Sequence, residues 1–142
     1  LFEAVRETFE TFAFCECSDW RILESRPPDM EEVIGAGIRL LHPIHGQFAL
    51  FLKSRQCRTI VETLYDREIM ESDDASEILD DFLRELVNTI AGRFAAANAE
   101  VSGTVHLGLP ETIHPEDVSS AAVYIAFDLE GVTAHCRLEV TS

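Results

Sequence analysis

The stretch DFLRELVNTIAGRF, residues 81–94, decides how the chain is organised. Its apolar residues recur with the period of an α-helix, so it predicts one long helix from about Ala75 to Ala97 with a core-facing side. Asp81, Glu85 and Asn88 fall on a different side, because at about 100° per residue they project within roughly 60° of Glu85. The helix therefore turns one side to the core and presents an acid and an amide together to solvent.

This acid–amide pair has a specific chemical capacity. A carboxylate can hold a cation, and a carboxamide can orient a water molecule without bringing a negative charge. Gly92 falls between Glu85 and Asn88 around the helix, and a glycine inside a helix costs about 1 kcal/mol relative to alanine. Either close helix packing or room for an approaching protein would account for it. The pattern favours hydrolysis of a group that is bound by a partner protein.

The spacing Asp81-x-x-x-Glu85-x-x-Asn88, followed by LGLPETI at 107–113, resembles the signature of the CheC/CheX/FliY group of chemotaxis phosphatases. In that group an acid–amide pair on one helix dephosphorylates the response regulator CheY, and a proline follows a little over twenty residues later. Pro110 stands twenty-two positions after Asn88, one residue short of the family spacing. The chain has one such helix where CheC-type proteins have two, so the resemblance is to the CheX type.

The resemblance implies a phosphatase that works in the active site of its partner. Glu85 and Asn88 would be the catalytic residues, and Asp81 would join Glu85 in binding the partner. Gly92 and Pro110 would have structural roles beside the site. The partner would be a phosphorylated CheY-like response regulator that supplies Mg²⁺, so the chain would need no metal or other cofactor of its own. The alternative is a non-catalytic module of the same fold that binds a regulator or a flagellar motor component.

Periodicity elsewhere predicts the remaining elements. Helices are expected at 2–12 and 56–66, and strands within 12–20 and at 33–41, 46–53, 103–109, 121–128 and 132–140. HPIHG at 42–46 predicts a hairpin connection, SRPPDM at 25–30 a loop, and Glu130-Gly131 a tight turn. Leu109 and Pro110 are expected to shape a strand end near the long helix. The order indicates an α+β fold, in which long helices pack on one face of a largely antiparallel sheet, as in a CheC/CheX-like sandwich.

Assembly is a further implication of the resemblance, because CheX-type relatives are homodimers joined through their sheets. The segment AAVYIAFDL at 121–129 is rich in β-formers and nearly uncharged, which makes it hazardous as an exposed sheet edge. It would either pair across a two-fold axis or lie inside the sheet of one subunit. A homodimer is therefore expected, with the strand at the seam left open.

Other enzyme signatures are absent from the sequence. It contains no GxxxxGK[ST] phosphate loop, no GxGxxG, no GxSxG nucleophile elbow and no HExxH. The five histidines are His42, His45, His106, His114 and His135, and no pair has the i, i+4 spacing of a helical metal site. None is assigned to a metal or to catalysis. A self-contained hydrolase would need its own nucleophile or metal, and the sequence indicates neither.

Composition bounds the class of protein. The 142 residues are expected to form one domain, residues 1–142, with a weakly matched amino-terminal segment at 1–30. The net charge of −15 excludes nucleic acid and an anionic membrane surface as favoured partners. It would draw in a partner with a basic patch, or it serves solubility alone.

The cellular compartment is inferred from the lack of a membrane span or signal peptide and from the cysteines. No apolar run approaches the ~20 residues of a membrane span and no signal peptide is visible at Leu1, so a cytoplasmic location is expected. The four cysteines are expected to be reduced thiols that act as small apolar residues. A redox switch at the C-x-C pair Cys15 and Cys17 stays open.

Overall fold

One antiparallel sheet connects the elements of the computed structural model, which describes residues 1–25, 27, 31–65, 74–99, 103, 105–115 and 122–141. In chain order these elements are α1 (Phe2–Phe12), β1 (Cys17–Leu23), β2 (Val33–His42), β3 (His45–Lys53), α2 (Ser54–Leu64), α3 (Ala75–Ala97), β4 (His106–Leu107), β5 (Glu111–Ile113), β6 (Val123–Leu129) and β7 (Val132–Thr141). The strand order is β1-β6-β7-β3-β2-β4, and β5 pairs with β2 beside β4. Every recorded pairing is antiparallel. The predicted α+β class is confirmed.

The main core lies between the helices and one face of the sheet. Alternate residues of the four inner strands are buried in it, as expected for side chains that change face at every position: Ala36, Ile38, Phe48, Leu50, Leu52, Ile125, Phe127, Leu129, Ala134 and Cys136. Helix α1 contributes Val5 and Phe9, both fully buried. Each such side chain stabilises the fold by about 1.5–3 kcal/mol. The amino-terminal helix is therefore part of the same core as the rest.

Helix α3 is the central support of that core. Its buried residues are Leu79, Phe82, Leu83, Leu86, Val87, Ile90 and Ala91. These positions recur at three and four residues, which confirms the predicted period and the bounds Ala75–Ala97. Phe82 stacks on Phe12 of α1, with ring centroids 6.0 Å apart. The helix thus packs into the core through one side, and the opposite side faces solvent in a fixed direction.

Of the two positions left open for the 121–129 segment, the inner one is observed for its described part, because β6 at Val123–Leu129 lies inside the sheet. β6 pairs with β1 on one side and with β7 on the other. The outer position on this side of the sheet belongs to β1, residues 17–23. The Glu130-Gly131 turn is confirmed, with φ of 51° and 84° at the two residues.

The predicted strand at 103–109 was largely wrong. Among the described residues of this range, only His106 and Leu107 are in a strand, and Gly103 has φ of 75°. A second short strand that the pattern did not indicate, β5 at Glu111–Ile113, follows after Pro110. Pro110 lacks an amide hydrogen and so separates the two pairings with β2.

The connection between β2 and β3 is shorter than predicted, and β1 begins later than predicted. β2 extends to His42 and β3 begins at His45, so only Pro43 and Ile44 join them. The strand expected within 12–20 begins at Cys17, because the backbone turns at Phe14, where φ is 56°. Most of the predicted 25–30 loop lies outside the described residues.

Candidate active site

The acid and amide side chains occur together on the exposed side of α3. Asp81, Glu85 and Asn88 are all exposed, while the core residues of the same helix point away from them. Glu85 and Asn88 are three residues apart, so they are neighbours on the helix surface. We call the row Asp81, Glu85, Asn88 and Gly92 the α3 ridge. The arrangement predicted from the sequence is the one observed.

Gly92 completes the ridge with open space. Among the described residues, a Cβ atom built on Gly92 would have no heavy atom within 4 Å, apart from its two chain neighbours and the nearby backbone of its own helix. Close helix packing therefore does not explain this glycine. The open space is compatible with the other explanation, room beside Asn88 for another molecule.

Arg84 links the ridge to the sheet. One guanidinium nitrogen, Nη2, donates to Oδ1 of Asp81, and Nη1 donates to Oγ1 of Thr112 at 3.4 Å. Thr112 lies in β5, so this contact joins α3 to the strand that follows the LGLP segment. We call this contact the Arg84 brace. The i, i+3 pairing with Asp81 could have been read from the sequence. The contact with Thr112 depends on the position of β5, which the sequence pattern did not indicate.

The LGLP segment itself is held beside the brace. The Gly108 amide donates to the carbonyl of Arg39 at 2.9 Å, and Pro110 is half-buried. Leu109 between them is 89% exposed. Leu109 and Pro110 lie between the end of β4 and the start of β5, at a strand end as expected, and the Leu109 side chain is almost entirely in solvent.

Helix α1 borders the other flank of the ridge. Arg93 of α3 donates from Nη2 to Oγ1 of Thr11 at 3.0 Å, and its Nη1 lies 3.7 Å from Oε2 of Glu7. Around the helix, Arg84 and Arg93 project to opposite sides of the ridge. The ridge is therefore a polar strip between α1 and the segment 108–112.

The described residues contain no metal-binding cluster that could support hydrolysis without a partner. No cluster of three or more His, Cys, Asp or Glu residues there could hold a metal ion. The rings of His45 and His106 have centroids 6.2 and 6.3 Å from that of His42, a proximity that their sequence spacing did not indicate. A cavity of about 650 Å³ is lined by residues of α2, the segment after α1 and the β6–β7 turn, away from the ridge.

The cysteines are buried, as expected for small apolar residues, and none is in a disulfide. Burial raises the pKa of Cys17 to about 12, with a smaller contribution from Cys15, and burial also raises the pKa of Cys57 to about 12. A thiolate nucleophile is therefore not available at neutral pH from either residue. Within the described residues, no helix is long and apolar enough to cross a membrane.

Comparison with known proteins gives a consistent family and fold. The sequence model of the family described as "Chemotaxis phosphatase CheX" matches residues 34–128. No curated protein matches the chain. A chain of the CheX–CheY–BeF₃–Mg²⁺ complex from Borrelia burgdorferi is similar in fold, with a TM-score of 0.76, 15% identity and coverage of 99% of this chain and 95% of that one. Vibrio vulnificus CheX gives a TM-score of 0.75 at 13% identity, covering 99% and 95%. The middle domain of FliM from Vibrio alginolyticus gives 0.57 at 13% identity, covering 98% and 86%.

Proposed function

Because the chain belongs to the CheX family of chemotaxis phosphatases, we propose that it hydrolyses the aspartyl phosphate of a CheY-like response regulator. The observation that carries the proposal is the exposed pairing of Glu85 and Asn88 on a helix whose opposite side is fixed in the core. Such a ridge can enter a partner's active site without any rearrangement of the core. This is the geometry that a phosphatase without its own metal or nucleophile requires.

In the proposed mechanism the regulator supplies most of the active site. Its bound Mg²⁺ and a lysine offset the charge of the phosphoryl group, and what it lacks is a water molecule in line with the scissile P–O bond. Phosphoryl transfer is catalysed mainly by positioning and charge stabilisation. The Asn88 carboxamide orients the attacking water, and it is suited to this role because it brings no negative charge against the phosphate. The water attacks phosphorus, the aspartate oxygen leaves, and no covalent intermediate forms on this chain.

The acidic residues of the ridge dock the partner. Glu85 pairs with the regulator's lysine, which fixes the register of the helix in the site. Asp81, whose side chain is 61% exposed, adds a second contact to the partner, although its carboxylate also forms a salt bridge with Arg84. Its main contribution is to keep the Arg84 brace in place. The net charge of −15 favours approach to a basic surface on the regulator.

The rest of the proposal follows from this reaction. In this mechanism the chain needs no metal of its own and uses the Mg²⁺ of its partner. It acts in the cytoplasm, where its phosphorylated partner is found, and it forms a homodimer in which each α3 ridge engages one regulator.

Its likeness in fold to the FliM middle domain favours one alternative, a module that binds a regulator or motor component without hydrolysis. Glu85 and Asn88 favour the enzyme, since a binding module has no use for an amide that orients water.

The test compares wild type with Asn88→Ala on phosphorylated CheY-type regulators encoded in the same genome. We expect Asn88→Ala to lower the rate of phosphate loss about a hundredfold, equivalent to roughly 3 kcal/mol in the barrier. Binding to a regulator that carries BeF₃⁻ and Mg²⁺ should be retained, because Asn88 is exposed and supports no packing. Asn88→Asp keeps the shape but adds a negative charge, and it should be equally inactive.

Thr63→Ala, which changes an exposed residue on α2, is the matched control and should behave as wild type. An Asn88→Ala variant with near-wild-type turnover would overturn the mechanism. A wild-type chain that binds the regulator and leaves its phosphate lifetime unchanged would instead support the binding module.

A further inference from the structure

Leu109 is the most solvent-exposed of the large apolar residues recorded in the described part of the chain. Its side chain is 89% exposed, compared with 76% for Phe14 and 69% for Ile22. A single exposed leucine is common on protein surfaces. What distinguishes Leu109 is that its backbone is fixed and that the strand directly after it is joined to the α3 ridge by the Arg84 brace.

Contacts on both sides hold the backbone of Leu109. The Gly108 amide donates to the Arg39 carbonyl at 2.9 Å, which ties the preceding residue to β2. Pro110 follows directly and has a restricted φ. From Glu111 onward the chain is paired with β2, Glu111 opposite Gly37. The leucine is therefore presented to solvent at a defined place, with little conformational entropy left to lose on binding.

The Arg84 brace joins the segment that carries Leu109 to the ridge. Thr112 accepts the Arg84 hydrogen bond at 3.4 Å, and three residues of chain span at most about 11 Å, so the Cα of Leu109 lies within that distance of the Cα of Thr112. Arg84 precedes Glu85 on α3. On the opposite flank, Phe12 of α1 is stacked on Phe82 and only 37% exposed.

The ridge itself offers a partner only polar groups and a glycine, whereas most of the binding energy of a specific interface comes from a few residues that are fully desolvated in pockets of the partner. On the basis of the function proposed above, we propose that Leu109 is an apolar anchor that enters an apolar depression on the response regulator beside its phosphorylation site. Leu109 thereby contributes to affinity and to the choice of regulator. It takes no part in the hydrolysis step, so it is a specificity-determining residue and not a catalytic one.

The test is a steady-state comparison of Leu109→Ala with wild type on phosphorylated CheY-type regulators from the same genome. Leu109→Ala should raise KM about tenfold and leave kcat within about twofold, because it removes apolar burial in the complex and no positioning group. Leu109→Met, which keeps the apolar volume, should restore KM to within about threefold. Ile22→Ala is the matched control, since Ile22 is exposed on β1 at the opposite edge of the sheet.

Titration of the variants with a regulator carrying BeF₃⁻ and Mg²⁺ should show the same tenfold loss, and thermal unfolding should be unchanged for Leu109→Ala. An active wild type whose KM is the same in Leu109→Ala, or is raised as much in Ile22→Ala, would overturn the anchor and leave the phosphatase proposal standing. A wild type that neither binds nor dephosphorylates any regulator would overturn both.

Discussion

Glu85 and Asn88 act through groups that lie outside the core, so their chemistry can be tested without disturbing the fold. Substitutions of exposed residues that support no packing usually change stability by less than about 0.5 kcal/mol. Both residues are exposed, in contrast to Leu86 and Val87 between them, which are fully buried. An activity lost on changing either exposed residue can therefore be assigned to the site.

Glu85→Ala should differ in kind from the loss of Asn88. It removes a charged contact to the regulator, so we expect weaker binding and a smaller loss of turnover once the regulator is saturating. Raising the salt concentration should reproduce part of the effect in the wild type, because exposed charges are screened. Glu24→Ala, an exposed acid near the end of β1, controls for the change in net charge. Unchanged affinity of Glu85→Ala in calorimetric titration would remove the docking role.

These two side chains could be predicted from the sequence because they depend only on helical geometry. Residues at 81, 85 and 88 share a side of any α-helix, and the apolar period fixed which side faced the core. Arg84 and Leu109 could not be assigned in the same way. Their roles depend on β5 and on the fixed segment after β4, which are set by pairing with β2 rather than by a local pattern.

The same distinction separates the helices and strands that were predicted well from those that were not. α3 carries a strong period over 23 residues, and its bounds were predicted correctly. β4 and β5 have two and three residues, too few for a period-2 pattern to be recognised. The position of β6 inside the sheet depends on β1, which lies about a hundred residues earlier in the chain. Neighbours this distant leave no trace in a local pattern.

Helix α3 also offers a test of why Gly92 is present. Gly92→Ala should raise the free energy of unfolding by up to about 1 kcal/mol, since alanine favours the helix and its Cβ would meet no other atom. If the open space admits the regulator, the same change should weaken binding, and chemical denaturation with parallel titration measures both effects. Gly103, which also has open space but has φ of 75° outside α3, is not an equivalent site. Increased stability with unchanged affinity would contradict the proposed role.

The burial of all four cysteines predicts that the folded chain is insensitive to mild oxidants. A pKa of about 12 for Cys17 leaves roughly one thiolate in 10⁴ at pH 8, and the fraction rises only as the pH approaches that value. A thiol reagent at pH 8 should therefore label the native protein slowly and label four thiols after denaturation. Fast native labelling of Cys15 or Cys17 would restore the hypothesis of a redox switch.

The oligomeric state of the chain can be tested by measuring its mass in solution. β1 and the β4–β5 side form the two edges of the described sheet, and an unpaired edge is available for a second copy. We expect a homodimer, so sedimentation equilibrium at micromolar concentration should give twice the 15.9 kDa mass of one chain. A mass of one chain under these conditions would rule out the dimer and would leave the α3 ridge unaffected.

The central claim is that the α3 ridge turns over a phosphorylated regulator as a catalyst. It is tested most directly by the time course of phosphate loss from a phosphorylated CheY-type regulator present in tenfold excess over the chain. We predict that the whole regulator pool loses its phosphate faster than it does alone, and that the initial rate is proportional to the amount of chain. Loss that stops after one equivalent, or a rate equal to that of the regulator alone, would contradict the claim.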